Sequence, residues 1–235
     1  MMPIAHARRL VLVALAVLTP AASHAQWNLS NDFSTAVNPN GAWTFGSRAF
    51  GNLASTGLTV YTNSGSSLGW DFEWTAAGGL PGVYKNTTNV PQTSGTVNYG
   101  PGQVNLHPGS AGDYSIVRWT APSAGTYALA SLFTGLDCCA TTSDVNILVN
   151  GGSIFSAFVN GFGSTQSYSS NLLLGAGDLV DVAVGFGANN NYYYDSTGLN
   201  LTIDAVNVTP EPASFVLLAT GLLVVGGMVR RRRAS

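Results

Sequence analysis

No stretch between Gln26 and Thr209 repeats an apolar residue every third or fourth position over three turns, so amphipathic helices cannot supply a core. Short β-rich runs separated by turn residues recur instead. Strands are predicted over 115–120, 126–133, 144–149, 154–159, 166–174, 178–186 and 199–208. Asn150-Gly151 stands between two of these runs, the two-residue signal of a tight hairpin. Ala121-Pro122-Ser123-Ala124-Gly125 turns the chain between two others. Residues 26 to about 108 are rich in Gly, Asn, Ser and Thr, and are expected to add early strands on long loops. The predicted class is all-β, a β-sandwich or jelly roll over 26–208.

The two ends of the chain read differently. Arg8 and Arg9 precede an unbroken apolar run from Leu10 to Leu18, and Ser23-His24-Ala25 has the small-x-small pattern of a cleavage site. Residues 1–25 are therefore expected to be a signal peptide, with the mature chain starting near Gln26. At the other end Pro210-Glu211-Pro212 is followed by an uncharged apolar run, Ala213 to Val229, and then Arg230, Arg231, Arg232 and Arg233. Seventeen residues make about 26 Å of helix, enough for a thin bilayer. Arginines held on the cytoplasmic side would leave the rest of the chain outside. One C-terminal transmembrane helix is the expectation.

This order of elements over 209–235 resembles the PEP-CTERM protein-sorting domain, although Thr209 stands where members often carry Val. The resemblance implies that an exosortase, a membrane-bound cysteine transpeptidase-like enzyme, reads Pro210, Glu211 and Pro212. It implies too that the helix retains the chain until processing and that Arg230 to Arg233 stop transfer. The context implied is a Gram-negative, exopolysaccharide-producing cell, with the protein first anchored in the inner membrane and then at the cell surface or in the extracellular biofilm matrix.

Charge excludes one class of partner. Between Gln26 and Thr209 only Arg48, Lys85 and Arg118 are basic, against ten acidic residues, a net −7. Such a segment offers no footprint for a phosphate backbone, so no nucleic acid is expected. Charged residues are 9% of the whole chain, against about 25% in ordinary soluble domains. Hydroxyls and amides carry the surface polarity instead, the same neutral chemistry that polysaccharides present.

A looser resemblance runs through the middle. Trp119-Thr-Ala-Pro-Ser-Ala-Gly-Thr-Tyr127, then Leu148-Val149-Asn150-Gly151, then Leu174-Gly175-Ala176-Gly177-Asp178 is similar to the jelly-roll modules of extracellular carbohydrate-binding and adhesive proteins. It implies the fold more than any ligand.

Several residues are candidates for chemistry. Trp70-Asp71-Phe72-Glu73-Trp74 would put its aromatics on one strand face and two carboxylates on the other. A glycosidase needs such a pair about 5–9.5 Å apart, but a half-buried strand with its acidic face in water is the expected reading of the pattern. Tyr192, Tyr193 and Tyr194, with Asn190 in the same loop, offer ring faces and amides to a sugar, and Trp43 is a second platform. Asp178, Asp181, Asp195 and Asp204 could ligate a structural calcium, yet no spaced calcium loop appears. Cys138 and Cys139 are adjacent, and are read as a vicinal disulfide, two free thiols or a link to another chain. His107 is the sole histidine of the middle region, too few N and S ligands for a zinc site. No nucleophile elbow is present. The expectation is thus a non-catalytic exported protein without a cofactor, with exosortase, membrane and extracellular polysaccharide as partners. The alternatives are a structural or adhesive matrix protein with no glycan site, or a secreted carbohydrate-active enzyme using Asp71 and Glu73.

Overall fold

A computed structural model describes residues 26–139 and 141–206. The expected signal peptide and the sorting tail with its apolar run lie outside the described residues, as do Asn207 and Val208 of the last predicted strand. Among the described residues no helix is long and apolar enough to cross a membrane.

The architecture is all-β. A short strand β1 (Gln26–Asn28) runs into one helical turn, α1 (Leu29–Asp32), which Asn28 caps by accepting the Asn31 N–H at 3.0 Å. The first half then supplies β2 (Trp43–Arg48), β3 (Thr59–Val60), β4 (Asn63–Gly65), β5 (Asp71–Thr75) and β6 (Gly82–Asn86). A small separate hairpin, β7 (Gln92–Ser94) with β8 (Val97–Tyr99), precedes β9 (Val104–His107). The second half supplies the longer strands: β10 (Tyr114–Thr120), β11 (Gly125–Gly135), β12 (Thr142–Val149), β13 (Gly152–Asn160), β14 (Thr165–Leu174), β15 (Leu179–Gly185) and β16 (Thr197–Val206). All seven runs predicted there are strands. Asn150 and Gly151 both take positive φ, as their hairpin requires. Asp178 stands just outside its predicted strand because its carboxylate accepts the Gly175 N–H at 2.7 Å and closes the preceding turn.

Two sheets form the sandwich. One holds eight strands in the order β14-β11-β16-β9-β6-β5-β4, and β1 joins the same side of β16 that β9 occupies. The other holds six, ordered β13-β12-β15-β10-β2-β3. Alternate residues of both turn inward: Leu129, Phe133, Leu199, Leu201 and Ile203 from the first sheet meet Phe45, Val117, Val145, Ile147 and Val182 from the second. Trp119 of β10 and Tyr127 of β11 come from opposite sheets and meet edge-on at 4.9 Å, with Trp27 of β1 5.2 Å from Trp119. The aromatic-proline-glycine-tyrosine segment is therefore a core clasp.

The outer face of the six-stranded sheet is covered too. Residues 49–58 fold across it, setting Leu53 and Leu58 on Ile116, Leu148 and Ala183. Gly46 and Gly151 admit the strap at backbone distance, since a Cβ at either would lie about 2.5 Å from a strap or strand carbonyl. At its centre Asp181 accepts from Arg48 and, through both oxygens, from Arg118 at 2.7 and 2.9 Å. Arg48 also donates to Gly57 and Leu53 carbonyls, and Arg118 to that of Thr56.

Candidate functional site

The residues singled out in the sequence are dispersed, and several have structural duties. Trp43 is a correction. It is 2% exposed, and its indole N–H donates to Asp32 at 3.0 Å, so no ring face is open to a sugar. Phe72 is exposed while Trp74 is buried, its indole donating to the Ser34 carbonyl at 2.8 Å. The acidic face is not in water as expected, for Asp71 is buried and accepts from Ser66, Ser67 and Leu68 N. The Ser67 hydroxyl reaches both Asp71 (3.1 Å) and Glu73 (3.0 Å), so the two carboxylates share a face and hold the 66–69 turn. Cys138 and Cys139 are free thiols; their hydrogen bond raises the Cys138 thiol above its ordinary value. Asn86, in a glycosylation-type sequon, is fully buried with its amide on the Val90 and Gly100 carbonyls.

The tyrosine loop lies between β15 and β16, as expected. Tyr192 and Tyr193 stack at 4.4 Å, and Tyr192 sets its ring edge-on to His107 at 6.2 Å. Tyr193 is 59% exposed and Tyr194 45%. Asn190 and Tyr194 both sit at positive φ. Asn189 and Asn191 spend their side-chain oxygens on the loop's own backbone, accepting from Asn191 N and Tyr193 N. The loop thus presents the outer face of one ring pair.

Open depressions lie elsewhere, on the outer face of the eight-stranded sheet. Where β11 runs between β14 and β16, outward residues align in rows across the strands: Asn171, Ala128 and Asp204; Ser169, Ala130 and Thr202; Ser167, Leu132 and Asn200. Alanines in the central strand between longer polar neighbours make a trough. A depression of about 310 Å³ lies over Asn28, Ser30, Ala130, Leu132, Asn200 and Thr202, and one of about 330 Å³ over Ala128, Ala130, Ser169, Asn171 and Asp204. Ala130 lines both, so the two depressions adjoin. The first exists because β9 pairs β16 only over Thr197 to Leu199 and β1 only over Thr202 to Asp204, leaving a break beside Asn200 and Leu201. The lining combines apolar Ala128, Ala130 and Leu132 with hydroxyls, amides and one carboxylate, Asp204. Sequence reasoning missed these residues. Their signal was the alternation of Ala, Ser and Asn on the odd or even positions of three strands, but which strands are neighbours is not written in any one of them.

The four aspartates considered for calcium do not converge: Asp178 closes a turn, Asp181 holds two arginines, Asp204 lines the trough and Asp195 is buried at the loop end. Among the described residues no three His, Cys, Asp or Glu side chains form a group that could hold a metal ion. Asp195 is unusual among them. One of its oxygens accepts from Thr142 N at 2.9 Å and Thr142 Oγ1 at 3.3 Å, while the other has no partner among the described residues. Burial, reinforced by Asp137 and Asp144 and opposed by Thr142, pushes its carboxyl up to about 7. The folded state then holds a proton that the unfolded chain, at an ordinary carboxyl value near 3.8, has released. Stability is fully present below that lower value and falls as pH rises toward about 7, by up to about 1.4 kcal/mol per pH unit. Asp195→Asn keeps the acceptor for Thr142 and carries no charge. Thermal melts from pH 4 to 8 are expected to flatten in this variant, and an unchanged slope would assign the pH dependence elsewhere.

No protein-family model matches the chain, and no curated protein matches it. Among solved structures it is similar to a family 35 carbohydrate-binding module from Clostridium thermocellum, at 18% identity over 39% of this chain and 69% of that one, with TM-score 0.27. A family 51 carbohydrate-binding module from Clostridium perfringens, solved with methyl-galactose, aligns at 9% identity over 77% and 100%, TM-score 0.36. Rabbit GITRL aligns at 16% over 40% and 74%, TM-score 0.28. Alignments this distant say nothing of ligand or activity, which rest on the chain's own side chains.

Proposed function

We propose that the chain is an exported, non-catalytic surface or matrix protein that takes neutral polysaccharide along the outer face of its eight-stranded sheet. The observation that carries this reading is the trough of two adjoining depressions floored by Ala128 and Ala130 and walled by hydroxyls and amides of β1, α1, β14 and β16. Alanine methyls leave room for a sugar ring, and Ser, Thr and Asn walls exchange hydrogen bonds with its hydroxyls at no cost in buried charge. The absence of catalysis is supported by Asp71 and Glu73, both engaged in holding the Ser67 turn. Export rests on the resemblance of 209–235 to a PEP-CTERM tail, with exosortase as the processing partner and the membrane as its first anchor.

The test uses the full-length gene in cells with and without an active exosortase. The β-domain is expected outside the cell in the first and at the inner membrane in the second, and an intact chain in the cytosol would refute export. Released protein is then run through gels cast with neutral polysaccharides. Ala130→Arg, at an exposed position of the trough floor, is expected to weaken retention about tenfold, and retention should change little with salt. No retention on any polysaccharide, or retention lost on Tyr193→Ala but kept in Ala130→Arg, would overturn the trough as the site.

A further inference from the structure

Sheet edges are where a β-protein invites or refuses another strand, and this sandwich treats its two sides differently. On one side the edges are β3 and β4, two and three residues long. On the other they are β13 and β14, nine and ten residues long, joined by the turn at Gly161–Ser164 and each without a neighbour beyond it among the described residues. Long edges are normally blunted by charge, proline or a bulge that twists them away. None of the first two devices is present. From Val145 to Gly177 the chain has no charged residue and no proline, though the segment from Gln26 to Thr209 carries −7 overall. β14 has no register shift against β11 over its whole length. Its outward residues Thr165, Ser167, Ser169, Asn171 and Leu173 are all exposed, and Leu173 is 84% so. Leu132 of the neighbouring strand and Phe158 and Phe162 of the β13 side add exposed apolar surface nearby in the chain and sheet.

We infer that β14 is a self-association edge, which pairs antiparallel with β14 of a second copy about a two-fold axis and joins the two eight-stranded sheets into one. A second copy is the fitting partner for three reasons. Antiparallel pairing of a strand with itself is isologous and closes at two, so no open fibre follows. Two chains of net −7 repel over most approaches, and the β13–β14 side is the long edge at which they meet without acid facing acid. Finally, the outward side chains before Leu173 are small and uncharged, so the facing rows meet without clash or repulsion, and Leu173 leaves water against the partner strand. The pairing is independent of polysaccharide, although it would set the troughs of two copies in one continuous sheet.

The experiment is sedimentation velocity on the full chain in neutral detergent, over a wide concentration range and without polysaccharide. A reversible dimer is expected. Ser167→Lys and Leu173→Lys each place an ammonium on an exposed outward position of β14, outside the lining of the trough, and should weaken the dimer about tenfold or more, with the melting temperature unchanged at dilutions where the parent is monomeric. Asn63→Lys, on the short edge β4, should leave it intact. If Ser167→Lys disturbs folding, Leu173→Lys decides, since that side chain is already in solvent. A wild-type chain that stays monomeric, a dimer that survives both substitutions, or pairing of this edge with a different host protein instead of itself would overturn the inference. Loss of polysaccharide retention with the dimer intact would leave it standing and count only against the trough.

Discussion

Asp181→Ala is expected to cost about 3–5 kcal/mol, because it strands two buried guanidinium groups at once. Arg48 and Asp181 are almost fully buried and Arg118 nearly so. Removing the carboxylate leaves both cations facing the strap at 49–58 with carbonyl partners alone. The strap covers Ile116, Leu148 and Ala183, so its loosening adds exposed apolar surface to the uncompensated charge. Urea unfolding of the variant beside the parent measures the loss. If instead the strap is held by Leu53 and Leu58 alone, the change will stay under about 1 kcal/mol, the range of an exposed pair. Simultaneous replacement of Arg48, Arg118 and Asp181 by apolar residues should cost less than Asp181→Ala, since a buried ionic cluster stabilises little against a hydrophobic one of similar volume.

Trp119→Ala is the second large loss, about 3–5 kcal/mol, which in a protein of this size lowers the melting temperature by roughly 10 °C. The side chain is fully buried where the two sheets meet, with Trp27 and Tyr127 against its edges. Its removal opens a cavity bounded by both sheets, and neither can shift inward without breaking register with its neighbours. The indole N–H has no hydrogen-bond partner among the described residues. Trp119→Phe therefore loses volume but no hydrogen bond, and should cost clearly less than Trp119→Ala. Equal losses in the two variants would mean that the nitrogen is satisfied in solution by a water. Tyr127, whose hydroxyl donates to the Ser123 carbonyl at 2.8 Å, has the opposite balance, and Tyr127→Phe frees that acceptor at the turn.

The second half of the fold was legible because its strands are half-buried and alternate in sequence. From Gly125 to Gly135 inward and outward positions follow a period of two, and Asn150-Gly151 has only one turn geometry open to it. The first half was less legible. β3, β4 and β7 are two or three residues long, too short for any period to show, and their pairing is local to loops rich in Ser, Asn and Gly. Trp43 shows how a residue type misleads. An aromatic after Asn-Gly-Ala reads as an exposed platform, but β2 is paired with β10 on one side and β3 on the other and is buried along its length. The tyrosines were read rightly as a loop, yet only the structure shows that Tyr192 is spent between His107 and Tyr193.

Composition and period, which belong to each segment alone, were enough to establish from the sequence an all-β core, a tight hairpin at Asn150-Gly151 and an acidic middle region of net −7. Tertiary structure alone decided that two of three scattered bases share one aspartate, that alanines of β11 lie between the polar rows of β14 and β16, and that β14 is left at an edge. The reason is that strand order is a relation between segments far apart in the chain. A strand's own residues state which face is apolar, whereas its neighbours are chosen by the packing of the whole sandwich.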